Sequence, residues 1–337
     1  MNNSDCHNFG KRVEKVQRAS GAWFQKPRTV FWEWFFFGKT SPLAEVFSSV
    51  GKNSEKPLAD FLFNLDIEIN SAWLGYAREV VETKDQELLS SHFYGFGVLL
   101  AYSYIFGIRD LHRENLVLTE THLQVVDAEV VLTKLVLPNE TILLPFKNVG
   151  YEFAGIGRLL PSPELLSQDQ AKALFAGYFD FFDCAINKKD AIAHALSDAK
   201  MSQHPVRVIL RNTSEYTNLE SLDLMASEES QLKRGDIPYY FKRVGNVSVN
   251  WMSSQSIFSE ESILPRFVSD MNRHAVNPLS LLETNLASPK VMIQGALHLI
   301  RHFKYSSASL SFLLNQNIKV DFANSLVEVD AIIYSIA

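Results

Sequence analysis

Cysteine is almost missing from this chain. Cys6 and Cys184 are the only two in 337 residues, too few for a disulfide framework. With no CxxC and no Cys/His ligand spacing, a structural zinc site is set aside too, and a reducing, cytoplasmic setting is expected. Long apolar runs are also lacking. The longest uncharged stretch, Phe93 to Ile108, has 16 residues and includes Gly95, Gly97 and Gly107. A membrane-spanning helix needs roughly 20, so the stretch reads as a buried core helix. The opening Met-Asn-Asn-Ser-Asp-Cys-His has no basic-then-apolar layout of a signal peptide. Positive charge is in deficit, with 32 Lys and Arg against 38 Asp and Glu and a formal charge of −6. A phosphate-backbone binder needs clustered Lys and Arg, so no nucleic-acid partner is expected. Internal repeats and low-complexity tracts are lacking as well.

What is present is a chain able to build a large core. Hydrophobic residues make up 47% and charged residues 21%, which excludes wholesale disorder. The length allows two ordinary domains or one two-lobed enzyme with its site in the cleft. The first quarter is aromatic. Its run Val30-Phe-Trp-Glu-Trp-Phe-Phe-Phe37 is ambiguous between buried strand and helix. Gly51 to Pro57 reads as a loop and Ser71 to Tyr76 as a short strand. Thr83 is expected to cap a long helix over about Gln86 to Phe106 that stops at Gly107. Leu116-Val-Leu118 and His122 to Asp127, parted by Thr119-Glu-Thr121, predict a β-hairpin. Further helix is predicted over about Gln168 to Ile186 and Glu261 to Phe303, a strand or helix start at Val206 to Leu210, and a turn at Gly235 to Pro238.

Between the long helix and the hairpin stands Asp110-x-His112-x-x-Asn115, and Asp127-x-Glu129 begins seventeen residues after Asp110. Polar groups bunched between buried elements are informative, because burying charge is costly unless something compensates it. A metal-dependent phosphotransferase needs a carboxylate to orient the attacking hydroxyl and accept its proton. It also needs oxygen ligands for Mg²⁺ on the ATP phosphates. A loop Asp, an Asn five residues on and an Asp closing a hairpin supply those parts from adjacent backbone. The bland alternative is that Asp110 and Asn115 cap turns while Asp127 and Glu129 sit on a wet strand face.

Gly107-Ile-Arg-Asp-Leu-His-Arg-Glu-Asn115 and Val125-Val-Asp-Ala-Glu129 resemble the DLHxEN and DxE signatures of the dehydratase domain of class II lanthipeptide synthetases, a domain related in fold to lipid kinases. Ser4-Asp-Cys-His-Asn-Phe-Gly10 resembles its GDxHNxG signature with Ser4 for the first glycine, and Phe24-Gln-Lys-Pro-Arg28 its YKPR segment with Gln25 for the tyrosine. His204 to Tyr216 resembles VRxIxRxTxxY, and Gly235-Asp-Ile-Pro-Tyr-Tyr-Phe241 resembles GDIPYF. The resemblance implies an α+β, kinase-like fold. A small mixed N-lobe would occupy residues 1–80, and a larger, mainly helical C-lobe residues 81–337. It implies ATP and Mg²⁺ as cofactors and a precursor peptide as substrate. Ser and Thr hydroxyls would be phosphorylated and phosphate then eliminated. Asp110 would be the catalytic Asp and His112 a helper at the phosphoryl group, with Asn115, Asp127 and Glu129 associated with metal. Lys26 would contact the ATP phosphates, Asp5 and His7 would support the nucleotide-side loop, and Arg207 and Thr213 would serve elimination. On residue pattern alone, Arg207 and Arg211 read as surface ion pairs.

The family carries a helical region before its first signature and a zinc cyclase domain after the dehydratase. This sequence shows no cyclase pattern, so ring formation is not expected of it, and a separate cyclase or N-terminal partner is a corollary. Two other readings stay open. One is a minimal Ser/Thr kinase that stops at the phosphorylated product; the other is an inactive peptide-binding remnant. The mass of a candidate peptide after incubation with ATP separates the three.

Overall fold

The computed structural model describes residues 6, 9–83, 87–197, 199–217, 222–253, 256–261, 263–303 and 310–335; Asp5 and His7 lie outside them. The fold is mixed α+β. A first antiparallel sheet is made by β1 (Glu14–Arg18), β2 (Gly21–Lys26), β3 (Ile67–Ser71) and β4 (Leu74–Arg78), in the order β1-β2-β4-β3. The single strand expected at Ser71 to Tyr76 is therefore the turn of a hairpin, with Ala72 and Trp73 at its tip between β3 and β4.

Between β2 and β3 come α1 (Phe31–Phe37) and α2 (Pro42–Val46). The aromatic run resolves as helix. The Thr29 hydroxyl accepts the Phe31 N–H at its start, and Gly38 closes it by donating to Trp34 O. Its side chains enter one core shared with α3 (Ser90–Phe106) and α4 (Gln168–Asn187). Tyr102 sits at the centre of that core, ringed by Phe37, Phe47, Phe63, Phe106 and Phe181, with its hydroxyl donating to Phe36 O.

Helix α3 is apolar all round because it is buried all round. It starts later than the sequence predicts. Thr83 donates its N–H to Leu118 O, and the helix begins at Ser90, where His92 reaches back to the Leu89 N–H. It ends at Gly107 as predicted, with φ +63°. Two glycines let α3 and α4 touch backbone to backbone: a Cβ on Gly97 would lie 2.0 Å from Leu174 O, and one on Gly177 2.0 Å from Tyr94 O. The hairpin also appears as predicted, β5 (Leu116–Leu118) against β6 (Leu123–Val125). Helix α5 (Lys189–Leu196) follows α4.

A second sheet comprises β7 (Pro205–Val208), β8 (Tyr240–Arg243), β9 (Asn250–Ser253) and β10 (Ser256–Ser259), with α6 (Ala226–Lys233) between β7 and β8. The helical stretch expected over Glu261 to Phe303 is broken into α7 (Pro265–Met271), α8 (Pro278–Leu286) and α9 (Lys290–Phe303), because Pro265 and Pro278 each start a new helix. A four-stranded meander closes the chain: β11 (Ser311–Asn315), β12 (Ile318–Asp321), β13 (Leu326–Val329) and β14 (Ile332–Ser335), with Phe312 and Phe322 against Phe175. Among the described residues, the region after residue 81 thus carries two four-stranded sheets and the β5–β6 hairpin beside its helices, where mainly helix was expected. Among the described residues no helix is long and apolar enough to cross a membrane.

Candidate active site

Gly107 turns the chain out of α3, and the next residues are pinned one by one. Arg109 donates its N–H to Val130 O, Leu111 to Thr141 O, and His112 pairs with Ala154 in an isolated bridge. Asp110, between these anchors, has φ +62°. A left-handed backbone is costly for a residue with a Cβ, and it persists where the surroundings over-determine it. Here Asn115 fixes it, since its Nδ2 donates to Asp110 O at 2.7 Å and approaches His112 Nε2 at 3.2 Å. Asn115 O in turn accepts the Val126 N–H, so the loop and the end of the hairpin are tied together directly before Asp127.

Strand β2 brings cations to this point. Lys26 Nζ donates to Val126 O at 2.6 Å and to Glu33 Oε1 on α1 at 2.7 Å. Pro27 then ends the strand, and Arg28 spans three carboxylates: Glu33 at 2.8 Å, Asp127 at 2.6 Å and Glu129 at 3.3 Å. From β7, Arg207 reaches Glu129 at 2.5 Å, and Tyr239, just before β8, donates its hydroxyl to the same carboxylate at 3.2 Å. Three cations, Lys26, Arg28 and Arg207, therefore interleave with Glu33, Asp110, Asp127 and Glu129.

Exposure sorts the carboxylates. The side chains of Glu33 and Glu129 are 0% and 8% exposed, while Asp127 and Asp110 keep 31% and 35%. The last two are the more open to a ligand. Burial raises both of their pKa values. For Asp110 this outweighs His112 and Arg207, with Asp127 and Glu129 adding repulsion. For Asp127 it outweighs Arg28 and Lys26. Glu33 goes the other way: burial would raise it, but Arg28 and Lys26 beside it hold it below the usual range. Arg28 and Arg207 are each held more firmly charged, since their carboxylate partners overcome their burial.

Of the sequence-predicted residues, Lys26, Asp110, His112, Asn115, Asp127, Glu129 and Arg207 come together. Glu129 is clasped by Arg28, Arg207 and Tyr239, an organising role. Thr213 stands exposed at the start of a 3₁₀ turn, with no hydrogen bond among the described residues linking it to this cluster. Arg211, read as a surface pair, is buried. Its Nε meets Glu228 at 2.7 Å and it belongs to the packing of α6. Arg28, Glu33 and Tyr239 had no role on sequence grounds. One signal did exist: Glu33 is a lone carboxylate in an otherwise aromatic run, and a buried charge demands a partner.

Among the described residues no group of three or more His, Cys, Asp or Glu is arranged to hold a metal by itself. Mg²⁺ is ordinarily held by one or two carboxylates together with water and substrate phosphates. Arg28 takes only Oδ1 of Asp127. The donors on offer are all oxygen, and the carboxylates of Asp127 and Asp110 are both partly exposed. The residues fit a hard divalent cation.

No curated protein matches the chain. A family model described as a domain of unknown function (DUF4135) matches residues 1–152, which takes in Lys26, Arg28, Glu33, Asp110, Asn115, Asp127 and Glu129 and stops short of Arg207 and Tyr239.

Proposed function

We propose that this chain is a two-lobed, kinase-like phosphotransferase that uses ATP and Mg²⁺ to phosphorylate Ser or Thr hydroxyls of a peptide, with phosphate elimination as a second step at the same site. One observation carries the reading. A strand lysine paired to a helix glutamate, Lys26 to Glu33, stands at the end of the hairpin that delivers Asp127, next to the Asp110–Asn115 loop. Phosphoryl transfer asks a protein chiefly for positioning and electrostatic stabilisation, and these are the parts that protein kinases assemble for it. The matched domain, of unknown function, is associated with lanthionine synthetase-like proteins, and the peptide substrate is taken from the resemblance to that class.

Each residue then has a task. Asp110 orients the acceptor hydroxyl and takes its proton; a carboxylate raised by burial holds a proton better than an exposed one. Asp127 and Asn115 would hold Mg²⁺, and Lys26, steered by Glu33, would meet the phosphates. Bound Mg²⁺ neutralises charge on the phosphates during transfer. Arg207, beside Asp110, offers a guanidinium to a departing phosphate. A kinase that stops at phosphorylation is the second reading, favoured by Thr213 standing outside the cluster.

The test is calorimetric titration with ATP, with and without Mg²⁺, followed by intact-mass analysis of a Ser/Thr-containing peptide. Binding should require Mg²⁺ and be lost in Asp127→Ala. Wild-type binding and transfer by Asp127→Ala would overturn the assignment. A product heavier by phosphate marks the kinase, and one lighter by water the dehydratase.

A further inference from the structure

The chain directly before Asp110 is also gripped from behind, by groups that take no part in the chemistry above. Gly107 O accepts the Thr133 N–H, and Arg109 donates its N–H to Val130 O. The link between α7 and α8 runs alongside: Lys134 donates its N–H to Arg273 O at 2.8 Å, and Val276 to Leu132 O at 3.0 Å. That pairing buries His274, 1% exposed, against the loop. Its Nδ1 lies 3.1 Å from the Thr133 hydroxyl. Its Nε2 lies 3.2 Å from Arg109 Nη1 and 3.5 Å from Asp270 Oδ2.

Each element packed on this residue brings a charge or a hydroxyl. Arg109 and Thr133 come from the chain after α3, and Asp270 from α7. Lys242 on β8 donates its Nζ to Met271 O and His274 O, both at 3.0 Å. Arg273 stands one step out, 3.9 Å from Asp270 and bonded to Glu140. The ring nitrogen Nε2 cannot serve Arg109 and Asp270 at once. A guanidinium only donates, so Nε2 must be bare to meet Arg109, with the ring proton on Nδ1 facing Thr133. A carboxylate only accepts, so Nε2 must carry a proton to meet Asp270. Arg109 stands nearer, and 3.5 Å is the outer limit of a hydrogen bond. Burial, Arg109 and Lys242 lower the His274 pKa against the pull of Asp270, so the ring is neutral near pH 7.

We propose that His274 is a positioning residue for the Asp110 turn: its bare Nε2 holds Arg109, and a proton there turns the ring to Asp270 and releases Arg109. This rests on the phosphotransfer reading and makes the hold on the turn conditional on pH. Asp110 keeps its φ of +62° only while its neighbours over-determine it. Release of Arg109 removes one of those restraints, one residue from the proton acceptor.

Three measurements on the full chain test this. Nitrogen-15 shifts should show His274 as the Nδ1–H tautomer above about pH 7; the Nε2–H tautomer overturns the inference with no substitution involved. Arg109→Met should lower turnover by about tenfold at saturating ATP and peptide, with both KM values near wild type. Turnover of the wild type should fall on the acid side through two protonations, of Asp110 and of His274. His274→Gln keeps an acceptor for Arg109 and cannot ionise, so its profile should fall through one. Identical profiles, or wild-type turnover by Arg109→Met, overturn this inference and leave the phosphotransfer reading standing. Absence of transfer by the wild type overturns both.

Discussion

Replacing Arg28 by Met removes the cation that three carboxylates share. Arg28 meets Glu33 at 2.8 Å, Asp127 at 2.6 Å and Glu129 at 3.3 Å, and its own side chain is 9% exposed. Met preserves much of the stem's packing, so the loss is mainly electrostatic. Glu129 keeps Arg207, and Glu33 keeps Lys26, but Asp127 is left without an ion-pair partner. Removing one member of a buried ion pair costs about 3–5 kcal/mol, because the remaining charge stays desolvated. The residual partners put Arg28→Met near the lower end, about 3 kcal/mol. Lys26→Met should cost less, about 1–2 kcal/mol, since Arg28 continues to hold Glu33. The sign of the pH dependence is fixed. Without Arg28, the folded-state pKa of Asp127, already raised by burial, moves further up, and that of Glu33 loses the largest cause that holds it down. A raised carboxylate stabilises the fold below its unfolded pKa and loses that contribution as pH rises. The penalty should therefore be full at neutral pH and shrink towards about pH 4–5. Urea denaturation of both proteins across that range measures it. A difference below about 1 kcal/mol, or one that does not change with pH, would refute the shared-charge account.

Asp110→Asn should leave ATP affinity intact and slow phosphoryl transfer by about 10²–10⁴, read in a single-turnover assay; an unchanged rate removes Asp110 from the chemistry. Arg207→Ala should transfer phosphate and then accumulate phosphopeptide, and mass spectra showing equal dehydration by wild type and variant would end its elimination role. Gly107→Ala should destabilise the fold by about 2–4 kcal/mol, because a Cβ there would lie 2.0 Å from Thr133 O at φ +63°; the check is its urea midpoint. His122, whose pKa burial lowers to about 4, is neutral in the fold. Stability it supports above the unfolded pKa of about 6.5 is lost as pH falls through about 4, by up to about 3 kcal/mol. His122→Gln should flatten that acid limb, and an identical pH profile would exclude it.

The sequence shows best what is local. Gly107 ends α3 because a left-handed residue was needed there. The hairpin of β5 and β6 is written in two apolar triplets around Thr119-Glu-Thr121. Asp110, Asn115 and Asp127 were legible because a few residues of backbone fix their spacing. The rest of the site comes from afar: Arg28 and Tyr239 meet at Glu129 from positions more than 200 residues apart, and no periodicity encodes such a meeting. The start of α3 was misread because Thr83 has the chemistry of a cap, yet its N–H goes to Leu118. Strands β11 to β14 are short, Leu313 in β11 and Ile332 and Ile333 in β14 are apolar yet exposed, and β14 has no buried residue, so apolar alternation marks them poorly.

Asp110 gives the fold and the chemistry opposite preferences at one residue. Its φ of +62° suits glycine or asparagine better than aspartate, and the mismatch costs about 1–2 kcal/mol. A laboratory selection for melting temperature alone would find that relief and drift to Gly or Asn at position 110. Each step would raise thermal stability and, on the proposed reading, remove the carboxylate assigned to accept the hydroxyl proton.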